Sequence, residues 1–312
     1  MRRVAGSGQG LCSAAACYLE SCHRDFRPTS RGVCCVTAAL SRQDEVLSRL
    51  LDLARSETPL PCLRVRACRA HLVKAFDVPG PSIGFLLQGR KRALQGGQWL
   101  SVEPGELFLV PGARSVDVEN IPDPHSGEYL TIFIVLCENV LEAARQLLPT
   151  FPQGEPGPLA AVPLAGLLGP LEDWCEALQR GDETLAAHAM LGLVLHLCRL
   201  GHQGLLNRPP PSLAAQIRSM VTQRPEREWS SGEIEEALAM SGATLRRHLA
   251  AEGTSLRELI ANVRLAHALQ LLYSTRLPLK AVAQRVGYAS VSSFSKRFAE
   301  RYGMEPSRIG NA

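Results

Sequence analysis

The chain has 312 residues, of which 46% are hydrophobic and 21% are charged, and its formal net charge is +4. This length is enough for two domains that each bury a core. No stretch approaches eighteen apolar residues, so the sequence predicts no membrane-spanning helix and no membrane partner.

Positive charge is concentrated at the C-terminal end of the chain. From residue 213 onward there are 14 Lys and Arg against 9 Asp and Glu, and the rest of the chain is close to neutral. An excess confined to one end is expected of a nucleic-acid-binding domain, although a chance imbalance of surface residues would give the same count.

The N-terminal residues 1–42 show no periodicity, and we expect them to be disordered or translated from an upstream start that the natural protein does not use. Five of the ten cysteines lie in this stretch, and the other five occur singly in apolar segments. Single cysteines of that kind are typical of buried positions in a reducing compartment, so we expect a cytoplasmic protein.

Regular structure is predicted from about residue 43, in a first domain that extends to residue 203. It begins with a short amphipathic helix over residues 45–55. Short strand-like runs separated by Gly and Pro turns follow, which predicts a small sandwich or barrel. The runs cover residues 83–88, 92–95, 99–102, 107–110, 115–119 and 129–136. The phrase PGELFLVP at residues 104–111 resembles a turn and strand of cupin-like jelly rolls.

Helices are predicted again after residue 139. The helix over residues 184–200 is apolar on more than one side, which fits either packing on its own barrel or a dimer interface. Residues 204–212 include three consecutive prolines and are predicted to form a stiff linker.

The C-terminal residues 213–312 are predicted to be all helical and to hold two helix-turn-helix units. In the first unit, Ser241 can cap a helix over residues 243–251, and Leu245 and Leu249 face inward. A turn of about 100° per residue puts four other side chains on or beside the free face. They are Ala243, Thr244, Arg246 and Arg247. Arg247 can grip a guanine edge, Arg246 is better placed for a phosphate, and both can simply be solvated.

A helix predicted over residues 256–273 connects this unit to the second one, where Gly287 makes the turn. Ser290 can cap the last helix, on which Phe294 and Phe298 face inward. The side chains predicted on or beside its free face are Ser292, Ser293, Lys296 and Arg297. A small helix with such a face can enter the major groove of DNA.

These residues resemble the AraC/XylS family of bacterial transcription regulators over about a third of the chain. The matching positions are Ser241, Leu245 and Arg247 in the first unit, Arg264, Leu265 and Ala268 in the connecting helix, and Val282, Ala283, Gly287, Tyr288, Ser292, Phe294, Lys296, Phe298, Gly303 and Pro306 in the second. Lys296 stands where the family usually has Arg, and Ser307 to Gly310 depart from the family's usual ending.

The resemblance implies an α+β protein with an N-terminal cupin-like sensor domain and a C-terminal domain that binds promoter DNA. It also implies a small-molecule effector, a homodimer and contact with RNA polymerase, with no cofactor. No residue set identifies the effector.

Three alternative functions each require features that can be sought in the sequence. A metal-dependent cupin enzyme would need clustered His and carboxylate ligands, but the strand region offers only His71 and His125, which are far apart. A zinc-bound cysteine that accepts alkyl groups would need two close Cys pairs, which the early cysteines do not form. An effector-sensing protein with a vestigial DNA domain would lack a basic outward face, which Arg246, Arg247, Lys296 and Arg297 supply. We therefore predict a DNA-binding regulator without enzymatic activity or a bound metal.

Overall fold

Helix α1 (Ser30–Arg55) is the first element of the computed structural model, which describes residues 30–56, 62–148, 157–208 and 212–309. It starts 15 residues before the predicted helix, so residues 30–42, which we expected to be disordered or to come from an upstream start, continue this helix in the structure. The physical reason is that residues 33–55 contain neither Gly nor Pro and are rich in helix formers. The prediction for residues 1–29 lies outside the described residues.

Nine strands follow in the described residues. They are β1 (Leu63–Ala67), β2 (His71–Val78), β3 (Ser82–Gln88), β4 (Arg90–Gln95), β5 (Gln98–Val102), β6 (Glu106–Val110), β7 (Arg114–Ile121), β8 (Tyr129–Val135) and β9 (Ala160–Pro163). The six predicted strands correspond to β3 through β8. Gly96 and Gly97 both have positive φ in the tight turn between β4 and β5, as the hairpin prediction requires.

The strands form two antiparallel sheets. One has five strands in the order β1-β8-β3-β6-β9, and the other has four in the order β2-β7-β4-β5. Strands β3, β6 and β8 are apolar at almost every position because both faces of the five-stranded sheet are covered. One face packs with residues of the four-stranded sheet, and the other packs under helices.

The covering helices are α1, α2 (Glu138–Leu147), α3 (Leu168–Arg180) and α4 (Glu183–Arg199). Helix α4 corresponds to the helix predicted over residues 184–200. Asp182 caps it, because its side chain accepts a hydrogen bond from the backbone N–H of Leu185. Most apolar side chains of α4 lie in the core beside α3 and α2, while Leu185 and Leu200 remain 49% and 54% exposed. Packing on its own domain therefore accounts for most of the apolar surface of this helix.

The segment predicted as a linker, residues 204–212, begins with residues that belong to the sandwich domain in the structure. Residues Gln203–Leu206 form a 3-10 turn, and Leu205 and Leu206 are fully buried in the core of the sandwich and its helices. A sequence pattern that marks the linker by its prolines does not show that two leucines just before them are anchored in this core. The prolines themselves, residues 209–211, lie outside the described residues.

Six helices make up the C-terminal part: α5 (Leu213–Gln223), α6 (Ser231–Ala237), α7 (Gly242–Ala251), α8 (Leu256–Ser274), α9 (Leu279–Arg285) and α10 (Val291–Tyr302). The first unit has its own core, built from α5, α6, α7 and the start of α8. The second unit, formed by the end of α8 with α9 and α10, shares a core with the β-sandwich.

The sandwich and the helical part are joined at two places. Helix α8 packs against β1, and α10 packs against β2. Arg301 of α10 forms an ion pair of 2.5 Å with Asp77 of β2. Residues 42–312 form one compact unit, so the two predicted domains lie against each other. No helix in the described ranges is long and apolar enough to cross a membrane.

Candidate nucleic-acid interface

The first recognition helix, α7, is held in place by local capping and by its inward face. Ser230 and Glu233 form a capping box at the start of α6, and the Oγ of Ser241 accepts the N–H of Thr244 at the start of α7. Leu245 and Leu249 are buried in the core of the unit. The cap at Ser241 and the two inward leucines agree with the sequence prediction.

The opposite face of α7 is open to solvent. Ala243, Arg246 and Arg247 are exposed. Thr244 is only half-exposed, and its hydroxyl lies 3.0 Å from the Oγ of Ser241. Of the four predicted contact residues of α7, Thr244 is therefore the one partly engaged in the helix cap.

The second recognition helix, α10, is positioned by a row of aromatic rings that pack against one another at steep angles. Tyr288, Phe294, Phe298 and Tyr302 follow one another with ring centroids 5.5, 5.5 and 4.8 Å apart. Ring pairs at these distances and tilted angles stabilise packing beyond the area they bury. The cap predicted at Ser290 is present, since its Oγ accepts the N–H of Ser293 at 3.1 Å.

The free face of α10 carries Ser292, Ser293 and Lys296, which are all exposed. Arg297 is half-buried and adjoins Tyr288. Its position at the flank of the face is the one given by the helical wheel.

The basic side chains of both recognition helices have no acidic partner within the part of the chain that the structure describes. Among the described residues, none forms an ion pair with Arg246, Arg247, Lys296 or Arg297, whereas nearby Arg227 pairs with Glu233. Cations without a carboxylate partner keep their full charge available for phosphate oxygens.

A groove of about 690 Å³ lies between the two units, and side chains from both recognition helices line it. Arg246 borders it from α7, and Ser293 and Arg297 border it from α10. Arg257 and Arg264 of α8 also line it. The fold thus brings Arg246 and Arg297, which are 51 positions apart in sequence, to one basic groove.

The length of helix α8 can be compared with the dimensions of DNA. Its 19 residues correspond to a length of about 28 Å at 1.5 Å per residue. Successive major-groove segments on one side of B-DNA are roughly 34 Å apart. The length of α8, which connects the two helix-turn-helix units, is thus comparable with the distance between two such segments.

Arg264, near the middle of α8, is a residue whose role the sequence did not reveal. Its guanidinium donates to the backbone carbonyls of Pro225 at 2.9 Å, Arg227 at 2.9 Å and Gly287 at 3.3 Å. The first two carbonyls belong to the loop before α6, and the third belongs to the turn before α10. Arg264 matches the family motif, but no sequence pattern predicts which backbone carbonyls its side chain contacts.

A second missed feature is a buried polar chain between the sandwich and α8. The Nζ of Lys91 donates to Asn120 Oδ1 at 2.9 Å, and Asn120 Nδ2 donates to the hydroxyl of Tyr273 at 3.3 Å. The Nε2 of His71 lies 2.8 Å from that hydroxyl, and its Nδ1 lies 2.9 Å from the carbonyl of Arg69. Because a carbonyl only accepts, Nδ1 carries the proton and Nε2 accepts from Tyr273.

Burial shifts the pKa values of the hydrogen-bonded residues Lys91, His71 and Tyr273. It lowers the pKa of Lys91 to about 7. It also lowers the pKa of His71 and raises the pKa of Tyr273. The amine of Lys91 also lies 5.6 Å from the centroid of the Phe108 ring and 5.8 Å from that of Tyr129. These contacts replace part of the solvation that the buried amine has lost.

The same junction contains a cleft of about 430 Å³. Phe76 and Phe133 of the sandwich and Leu269 of α8 line it, together with the polar side chains of Asp77 and Gln270. The cleft is therefore largely apolar and touches both halves of the molecule. Among the described residues, no group of three or more His, Cys, Asp or Glu side chains is arranged to hold a metal ion.

Comparison with known proteins identifies the family. A family model described as a helix-turn-helix domain matches residues 234–312. The urease operon transcriptional activator of Escherichia coli is 35% identical over 254 residues, which cover 76% of this chain and 86% of that protein. The chain belongs to the AraC/XylS family of transcription regulators. It is thus a DNA-binding regulator of transcription.

Solved structures show the same fold for this AraC/XylS regulator. A crystal structure of apo ToxT from Vibrio cholerae matches with a TM-score of 0.58 at 14% identity, over 81% of this chain and 97% of ToxT. A structure of ToxT bound to an unsaturated fatty acid matches with a TM-score of 0.56 at 14% identity, over 79% of this chain and 92% of ToxT. The predicted α+β class, with a cupin-like sandwich followed by two helix-turn-helix units, is confirmed.

Proposed function

We propose that this regulator binds promoter DNA by placing α7 and α10 in two successive segments of the major groove. The contact residues are the eight predicted ones: Ala243, Thr244, Arg246, Arg247, Ser292, Ser293, Lys296 and Arg297. The observation that supports this is the pair of capped helices at the ends of α8, each with an outward face of cations that have no acidic partner in the described residues. The DNA-binding part, residues 213–312, belongs to the same proposal, and the sensor, expected over residues 43–203, extends to Leu206 because that side chain lies in the core of the sandwich and its helices.

Selection of genomic fragments with the purified full chain, at roughly physiological salt, tests this proposal. We expect enrichment of a few promoter fragments that share two short sequence blocks about one helical turn apart, on the order of 10 base pairs. Retention of all fragments alike, with and without cell extract as a source of effector, would contradict two-helix recognition.

We infer that a small, largely apolar molecule controls this regulator by binding in the 430 Å³ cleft. The volume lies within the range of small-molecule sites, about 300–1,000 Å³. The cleft borders both β2 and α8, so a ligand there contacts the sandwich and the DNA-binding part at once. That an unsaturated fatty acid is bound in a solved structure of ToxT supports an apolar ligand class.

An Ala266→Trp variant tests the cleft, because Ala266 is half-buried and lines it. An unsaturated fatty acid should raise the thermal midpoint of the wild-type chain and change its affinity for promoter DNA. The bulky side chain should abolish both effects. His188→Trp, on the exposed side of α4, is the control and should respond like the wild type. A response in the Ala266→Trp variant that equals the wild-type response would remove the cleft as the effector site.

We also propose a homodimer and contact with RNA polymerase, which rest on the family resemblance. In the described residues, Leu185 and Leu200 are exposed leucines on and beside α4 that their own core does not cover. Sedimentation of the wild type and of a Leu185→Glu, Leu200→Glu variant tests whether they lie in a dimer interface. A dimer in both proteins would place the interface elsewhere.

A further inference from the structure

Arg264 sits at the boundary between two hydrophobic cores. Leu259 and Val263 of α8 belong to the core of the first unit, whereas Leu265, Ala268 and Leu269 belong to the core shared by the second unit and the sandwich. Arg264 lies between Val263 and Leu265 in sequence. The two cores therefore adjoin along α8 at the position of Arg264.

The guanidinium of Arg264 spans this boundary. Its Nε and Nη2 reach the loop that leads into the first unit, at the carbonyls of Pro225 and Arg227. Its Nη1 reaches the turn of the second unit, at the carbonyl of Gly287. Hydrogen bonds from a charged group to carbonyls are stronger than neutral ones, and a planar fork fixes direction as well as distance.

Both ends of this contact are themselves well anchored. On the side of the first unit, Trp229 Nε1 donates to the carbonyl of Arg224 at 3.0 Å, and Arg227 pairs with Glu233 of α6. On the other side, Gly287 has φ +79°, and a Cβ built there would lie 2.9 Å from Cζ of Arg264. Glycine is needed at the turn for its backbone conformation and also for the close approach of the guanidinium.

We propose that Arg264 is a positioning residue that fixes the distance and angle between the two recognition helices, and thereby the spacing between the two DNA blocks that the chain recognises. This inference rests on the proposed two-helix binding of DNA. Helix α8 supplies the length, but a helix alone bends and twists. The three carbonyl contacts hold the two units in one relative orientation.

The test uses a set of DNA duplexes that contain both selected blocks with the intervening length changed one base pair at a time. Each added base pair rotates one block relative to the other by about 34° and moves it by about 3.4 Å. The measured quantity is the ratio of the affinity for the best spacing to the affinity for spacings one base pair longer and shorter. A residue that matters only for overall stability would not change this ratio in folded protein.

In the full-length Arg264→Gln variant we expect the ratio to fall on the order of tenfold, as charge-assisted hydrogen bonds that hold one geometry are lost. Arg285→Gln, which removes an exposed arginine from α9, is the matched control and should lower all affinities while keeping the ratio. Gly287→Ala keeps every charge but pushes against the guanidinium, so it should lower the ratio as well. Gly303→Ala, at φ +73° and next to the flexible side chain of Lys74, controls for backbone strain.

Failure of the proposal and failure of the proposed function give different results. A wild-type chain that selects no pair of blocks contradicts the proposed function. A wild-type chain with a sharp spacing optimum, whose Arg264→Gln variant keeps the ratio within about twofold, overturns the role of Arg264 alone. If Arg264→Gln does not fold, an unchanged ratio in Gly287→Ala overturns it.

Discussion

The Nε2 of His71 lies 2.8 Å from the hydroxyl oxygen of Tyr273, although 202 positions separate the two residues in sequence. His71 belongs to β2 of the sandwich, and Tyr273 belongs to the last turn of α8. Both are buried, and the contact continues through Asn120 to Lys91. A hydrogen-bonded chain therefore connects the interior of the sandwich to the helix that carries both recognition units.

Replacement of Tyr273 by Phe should destabilise the protein by about 1–3 kcal/mol, because it leaves His71 Nε2 and Asn120 Nδ2 buried with fewer partners. Urea unfolding followed by circular dichroism measures the change. Ser274→Ala is the neighbouring control and should change little, since Ser274 is exposed and bonds only to a carbonyl of its own helix. Equal stability of Tyr273→Phe and the wild type would show that the chain of contacts contributes no net energy.

The buried amine of Lys91 should make the stability of the protein depend on pH. Its pKa is about 7 in the folded protein against 10.5 for an ordinary lysine. Between these two pH values the unfolded chain binds a proton at Lys91 that the folded chain does not. The free energy of unfolding of the wild type therefore increases as the pH rises. The slope from this residue is at most about 1.4 kcal/mol per pH unit. The cost of burying the charge is largest below pH 7.

A Lys91→Met variant removes that dependence. The difference in unfolding free energy between Lys91→Met and the wild type should be most favourable to the variant at pH 6 and should shrink as the pH approaches 10. Lys74→Met, which removes an exposed lysine of β2, is the charge control. A difference for Lys91→Met that stays constant from pH 6 to pH 10 would show that the folded protein keeps the Lys91 amine charged over that range.

Arg247 is expected to contribute to sequence recognition. Arg247→Ala should weaken binding to the selected promoter site by about 1–3 kcal/mol and leave binding to random DNA nearly unchanged, because a bidentate contact with guanine is lost. Competition titrations with specific and random duplexes measure both affinities. Equal losses on the two DNAs would assign Arg247 to the phosphate backbone.

Lys296 is expected to contact a phosphate. Lys296→Ala should weaken binding to all sequences alike and reduce the slope of log K against log salt by about 0.9 for the one lost phosphate contact. Titrations at several salt concentrations give the slope. Ser292→Ala, on the same exposed face but without charge, should leave it unchanged. A loss of affinity for the specific site alone would indicate that Lys296 contacts the edge of a base.

The recognition units could be predicted closely because they are specified by local rules. Capping at Ser241 and Ser290 and the inward positions of Leu245, Leu249, Phe294 and Phe298 depend on neighbours three or four residues away. The prediction differs from the structure only in detail: Thr244, predicted on or beside the free face of α7, is half-exposed and lies beside the cap at Ser241.

The features that the sequence did not predict depend on contacts between distant segments. Strand β9 is recognisable only through its pairing with β6. Lys91 shares the buried face of β4 with Ala93, but the sequence of that strand does not show which distant groups a lysine there would contact. The hydrogen bond from Arg264 to the carbonyl of Gly287 joins residues 23 positions apart, and the one between His71 and Tyr273 joins residues 202 positions apart. Periodicity carries no information about such pairs, because their geometry follows from the tertiary fold.

The two recognition helices differ in how they are supported, and this asymmetry has a consequence for promoter evolution. The first unit folds around a core of its own, whereas the second shares its core with the sandwich and is tied to β2 by Arg301 and Asp77. Substitutions in β2 therefore act directly on the support of α10, whereas they reach α7 only through α8 and the contacts of Arg264. Drift in the sensor half would then alter recognition of the promoter block read by α10 before it alters recognition of the other block.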